Sequence, residues 1–265
     1  MSSITAVLDP QTDRGLAPAD LASAYLRRAG GPAVVRYLVA VAPLAAAAWV
    51  FIDAVTAQDR RALGAASLMI VGAMLWRWVG LAWVQARVMR DAGRPARWRW
   101  GAVAGVVASR LIAHMVLVWG GLLVLPAIVA FHFSGFAAVG VLEPGRRGVL
   151  GALGEMLKLV WSNLRAVWLS SVVLMVYFFL GTLSLMLVQG MLIWLVLPSL
   201  FGIDTTDLKL AAGGAAWWLS LVFLAWLVFD LFWHVAAVFA VIDLQARQTG
   251  GDLLSRLRRL PGGGA

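Results

Sequence analysis

Between Leu164 and Ile203 the chain runs for 40 residues with a single charged side chain, Arg165. No solvated element tolerates such a run, and a straight helix of that length would be roughly 60 Å long at 1.5 Å per residue. A bilayer's hydrocarbon core is only about 30 Å thick. The segment therefore has to bend, near Gly181 or Gly190, or lay its second half along a membrane surface. Two further full crossings are not expected from it, because no charged turn divides it.

Other apolar runs recur on either side. The chain is 62% hydrophobic and 13% charged, with a mean hydropathy of +0.86. Soluble domains carry about 25% charged residues, so the pattern predicts a polytopic membrane protein. The runs place crossings at about 34–51, with Pro43 as a kink, at 62–84, at 101–124 and at 126–142. The last of these is short enough to be tilted or re-entrant. The 164–203 run and a helix at 214–242 complete six. Before Val34 lies a polar arm, 1–33, with a short amphipathic helix over Leu21–Arg28. After Ile242 comes a basic tail, 243–265. The arm lacks a charged segment followed by a short apolar core, so the first crossing is expected to serve as its own insertion signal. There is no cysteine, which excludes disulfides, thiolate metal sites and a Cys nucleophile.

The stretch 101–163 shows how the crossings connect. It leaves one side as a long apolar run, turns at Gly120-Gly121 and Pro126, and returns to the basic segment Glu143-Pro144-Gly145-Arg146-Arg147. An amphipathic segment follows, about 146–161. In it Val149, Leu150, Leu153, Leu157 and Val160 recur at helical spacing against Arg146, Arg147, Glu155 and Lys158, as in a helix lying at the interface.

Six crossings with both ends on one side make a strong statement about charge. That side collects Arg14, Arg27, Arg28 and Arg36, then Arg87, Arg90, Arg94, Arg97 and Arg99. It also collects Arg146, Arg147, Lys158 and Arg165, and finally Arg247, Arg256, Arg258 and Arg259. The opposite side has only Arg60, Arg61 and Lys209. A bias of 17 to 3 places both termini in the cytoplasm. The net charge of +9 is thereby explained as a basic face toward anionic lipid, with Arg87, Arg90, Arg94, Arg97, Arg99, Arg146 and Arg147 facing it. The same residues sit in short loops without any nucleic-acid-binding motif, so nucleic acid is not an expected partner.

Ionisable groups inside the runs are the candidates for chemistry, because burying them there is costly. They are Arg77, Arg110, His114, His132, Asp230 and His234. Arg110 and His114 share a helix face, as do Asp230 and His234. Counted from the basic ends, all six lie roughly 10–20 Å deep, a depth at which they can meet in one layer. Two readings follow. The groups pair with one another and hold the bundle together, or Asp230 balances one arginine and the excess positive charge holds a phosphate, a carboxylate or a small anion. The three histidines lie on three different helices with no ligand spacing, so neither a metal nor a haem is expected, and no cofactor is implied.

Catalytic signatures are missing: no phosphate loop, no His-Glu-x-x-His helix, no Gly-x-Ser-x-Gly elbow. Glycines 145, 148, 151 and 154 recur every third residue without a preceding strand, which reads as close packing. Gly101 and Gly105 form one Gly-x-x-x-Gly. Several of the 14 tryptophans, among them Trp98, Trp100, Trp161, Trp217 and Trp218, fall near the ends of the runs as interfacial belts.

Two stretches carry a family resemblance. The first is Leu125-Pro126-Ala127-Ile128, an aromatic helix, Leu142-Glu143 and then Asn163. The second is Asp243-Leu244-Gln245-Ala246-Arg247 with Gly250 and Asp252-Leu253. Together they resemble bacterial six-helix membrane proteins of uncharacterised function, including the membrane domain attached to some glycerophosphodiester phosphodiesterases. That family often has Asp-Leu-Arg-x-Arg-x-Glu-Gly-x-Asp-Leu after its last helix. Here Gln245 and Thr249 replace an arginine and the acidic residue, which thins any charge network in the tail. The resemblance covers about 20–255 and implies a shared membrane fold. It implies no catalytic residues, since the diesterase chemistry of fused relatives resides in a domain with no counterpart here.

The expectation is an all-α, polytopic helical bundle of about six transmembrane helices with amphipathic interfacial helices on the cytoplasmic side. It is read as a non-enzymatic membrane module that engages lipid, or anchors a cytoplasmic or membrane protein partner, through its basic face. The alternative is a transporter or permease subunit with an intramembrane anion or lipid-headgroup site.

Overall fold

The computed structural model describes residues 18–119, 124–144, 148–192, 196–202, 204, 206 and 215–249. The described residues are helical, with no strand among them. In order, the helices are α1 (Pro18–Arg28), α2 (Gly31–Thr56), α3 (Arg60–Asp91), α4 (Trp100–Trp119), α5 (Val124–Leu142), α6 (Val149–Ser162), α7 (Leu164–Met191), α8 (Leu197–Phe201) and α9 (Ala215–Thr249). Three helical stretches are long and apolar enough to cross a membrane: Gly31–Val55, Arg60–Asp91 and Ala225–Ala246. The apolar stretches Trp100–Val116, His132–Leu142 and Val176–Gln189 are shorter.

Helices α2 and α3 form a tight hairpin. Its turn is closed by Gln58 in the left-handed region (φ 53°) and by Asp59, whose side chain accepts from the amides of Arg61 and Ala62 at 2.9 and 3.2 Å. That cap satisfies two of the orphan donors at the start of α3. Gly80 lets the two backbones approach: a Cβ there would stand 2.1 Å from that of Ala40. Where lipid removes the hydrophobic drive between helices, such close backbone packing is what holds a hairpin together.

Helix α3 runs past the predicted end at Val84 to Asp91, so Arg87 and Arg90 lie on its last two turns and not in a loop. At about 48 Å it is longer than a hydrocarbon core, and its basic end projects beyond one. Its stop is a Schellman motif: Gly93 sits at φ 77° and donates to Arg90 O (3.1 Å), while Arg94 N donates to Met89 O (2.8 Å). The linker that follows, 94–99, is irregular and docks through Arg97 N on Leu142 O at 2.9 Å.

The 164–203 run is not broken at Gly181, and its long helix ends one residue past Gly190. Helix α7 continues through Gly181 to Met191, and a short separate helix, α8, starts at Leu197. Gly181 has open space around its Cβ position and relieves no contact that would require a bend. Pro43 is accommodated inside α2, which continues to Thr56.

The ends expected to share one side do meet. The Tyr25 hydroxyl of α1 donates to Asp91 at the end of α3 (2.8 Å), and its ring packs edge-on against Phe239 of α9 at 6.1 Å. Burial, then the neighbouring Asp91 carboxylate, pushes the Tyr25 pKa above its ordinary value. Arg94 pairs with Glu143 at the end of α5 (2.9 Å). Helix α6 packs under α4 and α5: Gly105 faces Val149, and Gly140 faces Met156, at positions where an added Cβ would lie 2.3 and 2.5 Å from the neighbouring side chain. Of the predicted α6 stripe, Val160 is buried together with Met156 and Leu159, whereas Leu150 and Leu157 are exposed. One apolar face of α6 therefore meets the bundle, and a second, with Leu150 and Leu157, points outward. Arg146, Arg147, Lys209 and the tail from Gly250 lie outside the described residues.

Candidate functional site

The buried charges form two linked clusters. In the first, Asp230 of α9 is the hub. Arg77 of α3 ion-pairs with its Oδ1, and His234, one turn on, brings Nε2 to 3.4 Å from the same oxygen. The Tyr37 hydroxyl of α2 lies 3.1 Å from Oδ2 and 2.6 Å from the Leu227 carbonyl. The Arg77 guanidinium also lies over the Trp226 ring at 4.4 Å, with the Met74 sulfur 4.0 Å from Nη1. All four polar groups are buried, and the cluster joins α2, α3 and α9.

The second cluster is built around Arg110 of α4, which is 1% exposed. Its Nη1 donates to the Trp78 carbonyl (2.9 Å), its Nε to the Ser134 carbonyl (3.3 Å) and its Nη2 to Gln85 Oε1 (2.9 Å). Gln85 then donates through Nε2 to the carbonyls of Gly135 (2.9 Å) and His234 (3.3 Å). Two side chains thus tie α3, α4, α5 and α9 together using second lone pairs of helix carbonyls. Among the described residues no carboxylate touches Arg110. The two clusters communicate through His234, which lends its side chain to Asp230 and its carbonyl to Gln85.

The remaining predicted residues divide. His114 bonds its own helix, Nδ1 to Arg110 O at 2.7 Å, which puts the proton on Nδ1, and its ring tilts against Trp78 at 5.1 Å. His132 sits in an aromatic group, 4.9 Å from Trp233 and 5.9 Å from Phe136. Tyr37 and Gln85 carry as many contacts as the charged residues, yet sequence inspection passes over them. Both are uncharged residues within apolar runs, and the one available signal is that a buried amide or phenol needs partners. Among the described residues no three His, Asp or Glu side chains gather as a metal set.

Four cavities of about 460–640 Å³ are lined by described residues, and none has Arg77, Arg110, His114, His132, Asp230 or His234 in its wall. Three of them touch the basic end. One is lined by Arg94, Glu143, Lys158 and Gln245, and another by Arg97, Arg99, Glu143 and Glu155. The third has Arg90 in its wall. At this end Arg87 is held by Asp91 (2.8 Å) and Arg94 by Glu143, while Arg97 and Arg99 are exposed. No family model matches the chain, and no curated protein or solved structure is significantly similar to it.

Proposed function

We propose that this is a non-catalytic integral membrane module of six crossings, with both termini and its basic end in the cytoplasm, that engages anionic lipid or a protein partner through that end. The observation that carries this reading is the contrast in how charge is used. At mid-depth Asp230 is engaged by Arg77, Tyr37 and His234, and Arg110 spends its donors on carbonyls and an amide. Arginines remain exposed at the basic end, in the register where a leaflet's phosphates lie. The six-helix family resemblance agrees with a membrane role and adds no chemistry.

Native mass spectrometry of the protein extracted with its membrane tests this directly. A retained anionic lipid or a stoichiometric partner is expected, and a species stripped of both under mild activation would contradict it. Orientation has its own test, made simple by the absence of cysteine. Gln58→Cys should react only from outside and Arg97→Cys only from within.

One observation favours the transporter reading as a second possibility. The buried layer holds two arginines against one aspartate, and Arg110 has no acid of its own, which leaves positive charge to attract an anion. An Asp230→Asn variant that folds normally yet loses anion uptake in proteoliposomes would favour it; unchanged uptake would favour the module.

A further inference from the structure

The outer face of the α2–α3 hairpin carries a cleft of about 530 Å³ that the reading above does not use. Its floor is the close contact of Gly80 with Ala40, and its walls are Trp76, Trp83, Trp98 and Trp100. These tryptophans are 38–75% exposed, so the cleft opens sideways from the bundle. Along α3 it extends from Trp76 to Arg90, roughly 21 Å at 1.5 Å per residue. The linker supplies its upper wall by simple alternation. In irregular, extended backbone successive side chains point to opposite sides, so Trp98 and Trp100 enter this cleft while Arg97 and Arg99 line the separate cavity beside α6.

The basic end of the cleft is cationic. Arg90 stands in its wall and uses Nε on the Ala86 carbonyl at 3.1 Å. Arg36 of α2, which is not itself a wall residue, lies one turn from Ala40 and stacks on the wall residue Trp83, its guanidinium carbon 4.7 Å from the ring. Among the described residues the buried Nη1 of Arg36 has no hydrogen-bond partner. Arg87 is also near, and the one acid there, Asp91, already serves Arg87 and Tyr25. A long apolar slot headed by a stacked arginine with an idle donor and a second arginine has the chemistry of one molecule: an acyl chain ending in a phosphate.

We propose that this cleft is a binding site for one phospholipid, with an acyl chain along Trp76 and Trp83 and its phosphodiester between Arg36 and Arg90. The inference rests on the lipid-engaging reading above and gives it an address. A free phosphate would need the two arginines but not the slot; a lipid needs both.

The test is native mass spectrometry of the full chain from nanodiscs of equal phosphatidylcholine and phosphatidylglycerol, following the last lipid to leave. Arg36→Gln with Arg90→Gln removes the head site, and Val79→Trp fills the slot without touching a charge. Val39→Trp, at an exposed position on the opposite wall, replaces the latter should it fail to fold. Arg60→Gln with Arg61→Gln, two exposed arginines at the opposite end of α3, is the control for the loss of two charges. Thermal melting in detergent verifies folding of each. Retention should fall about thirtyfold in the head variant, the effect of two basic residues at a membrane surface. It should fall comparably in the slot variant and stay unchanged in the control. Loss in the head variant alone would mean that the arginines hold a phosphate without the slot, and would overturn the site as drawn. Loss in the slot variant alone would overturn the phosphate clamp. Retention unaffected by both would overturn the site while leaving the lipid-engaging reading standing, and loss in the control alone would overturn the site and binding through the basic end together. A wild-type chain that retains no lipid would overturn both.

Discussion

The middle of this bundle and its basic end hold the same residue types in opposite states. In the interior Arg77 and Arg110 are enclosed, and their bonds run to Asp230 of α9, Gln85 of α3 and helix carbonyls of α3 and α5. At the end, Arg90, Arg97 and Arg99 are exposed, and two of the described acids there, Asp91 and Glu143, each serve an arginine already. The difference follows from what surrounds each charge. In an apolar interior an unmatched donor costs several kcal/mol, so most of these groups are satisfied internally, although Arg77 Nε and His234 Nδ1 have no hydrogen-bond partner among the described residues. At the interface water and phosphate compete for the same donors, and arginines can stay available.

The comparison can be broken at several places, with effects of decreasing size. Asp230→Ala leaves Arg77 as an uncompensated buried charge and should destabilise the bundle by about 3–5 kcal/mol, read by unfolding in detergent. Gly80→Val drives a side chain into Ala40, 2.1 Å from where its Cβ would stand. It should cost about 1–3 kcal/mol and loosen the α2–α3 hairpin in hydrogen exchange.

Tyr25→Phe removes the link to Asp91 and should cost about 1 kcal/mol, visible as faster proteolysis of α1. That link also gives a pH signature. The folded state holds the phenol neutral, so the docking energy is intact below the ordinary tyrosine value of 10.0 and declines as pH rises above it, where the released phenol ionises first. The Phe variant should lack this alkaline loosening. The smallest effect belongs to Arg94→Gln. Its pair with Glu143 is about a third exposed (34% and 28%), so its loss should cost only about 0.2–1 kcal/mol and shrink further in high salt.

What could be read from the chain alone follows the same division. Asp230 and His234, four apart on an apolar helix, announce a shared face, and the structure brings them together with Arg77. Arg110 and His114 do likewise, although His114 turns its bond onto its own helix. The partners that complete the layer, Tyr37 and Gln85, carry no charge and break no periodicity, so burial alone reveals them. His132 shows the opposite error: depth matched it to the layer, but depth says nothing about azimuth around the bundle, and its face meets Trp233 and Phe136. At the basic end, Arg87 and Arg90 read as loop because charge usually ends a crossing. The Schellman stop at Gly93 is the better marker, since glycine is what the left-handed residue after a helix requires. In α6, with apolar residues on most positions, periodicity alone does not choose which side faces the bundle: Met156, Leu159 and Val160 meet it, and Leu150 and Leu157 point outward.

The account's central claim is that the mid-depth charges fasten helices while the basic end does the binding. Its most direct test is the pair exchange Arg77→Met with Asp230→Leu, which removes both charges and keeps volume. The account predicts a folded protein melting within a few degrees of wild type and retaining its lipid unchanged, as when a buried ion pair gives way to apolar packing. A variant that folds equally well but no longer retains lipid, or no longer moves an anion that the wild type moves, would contradict it.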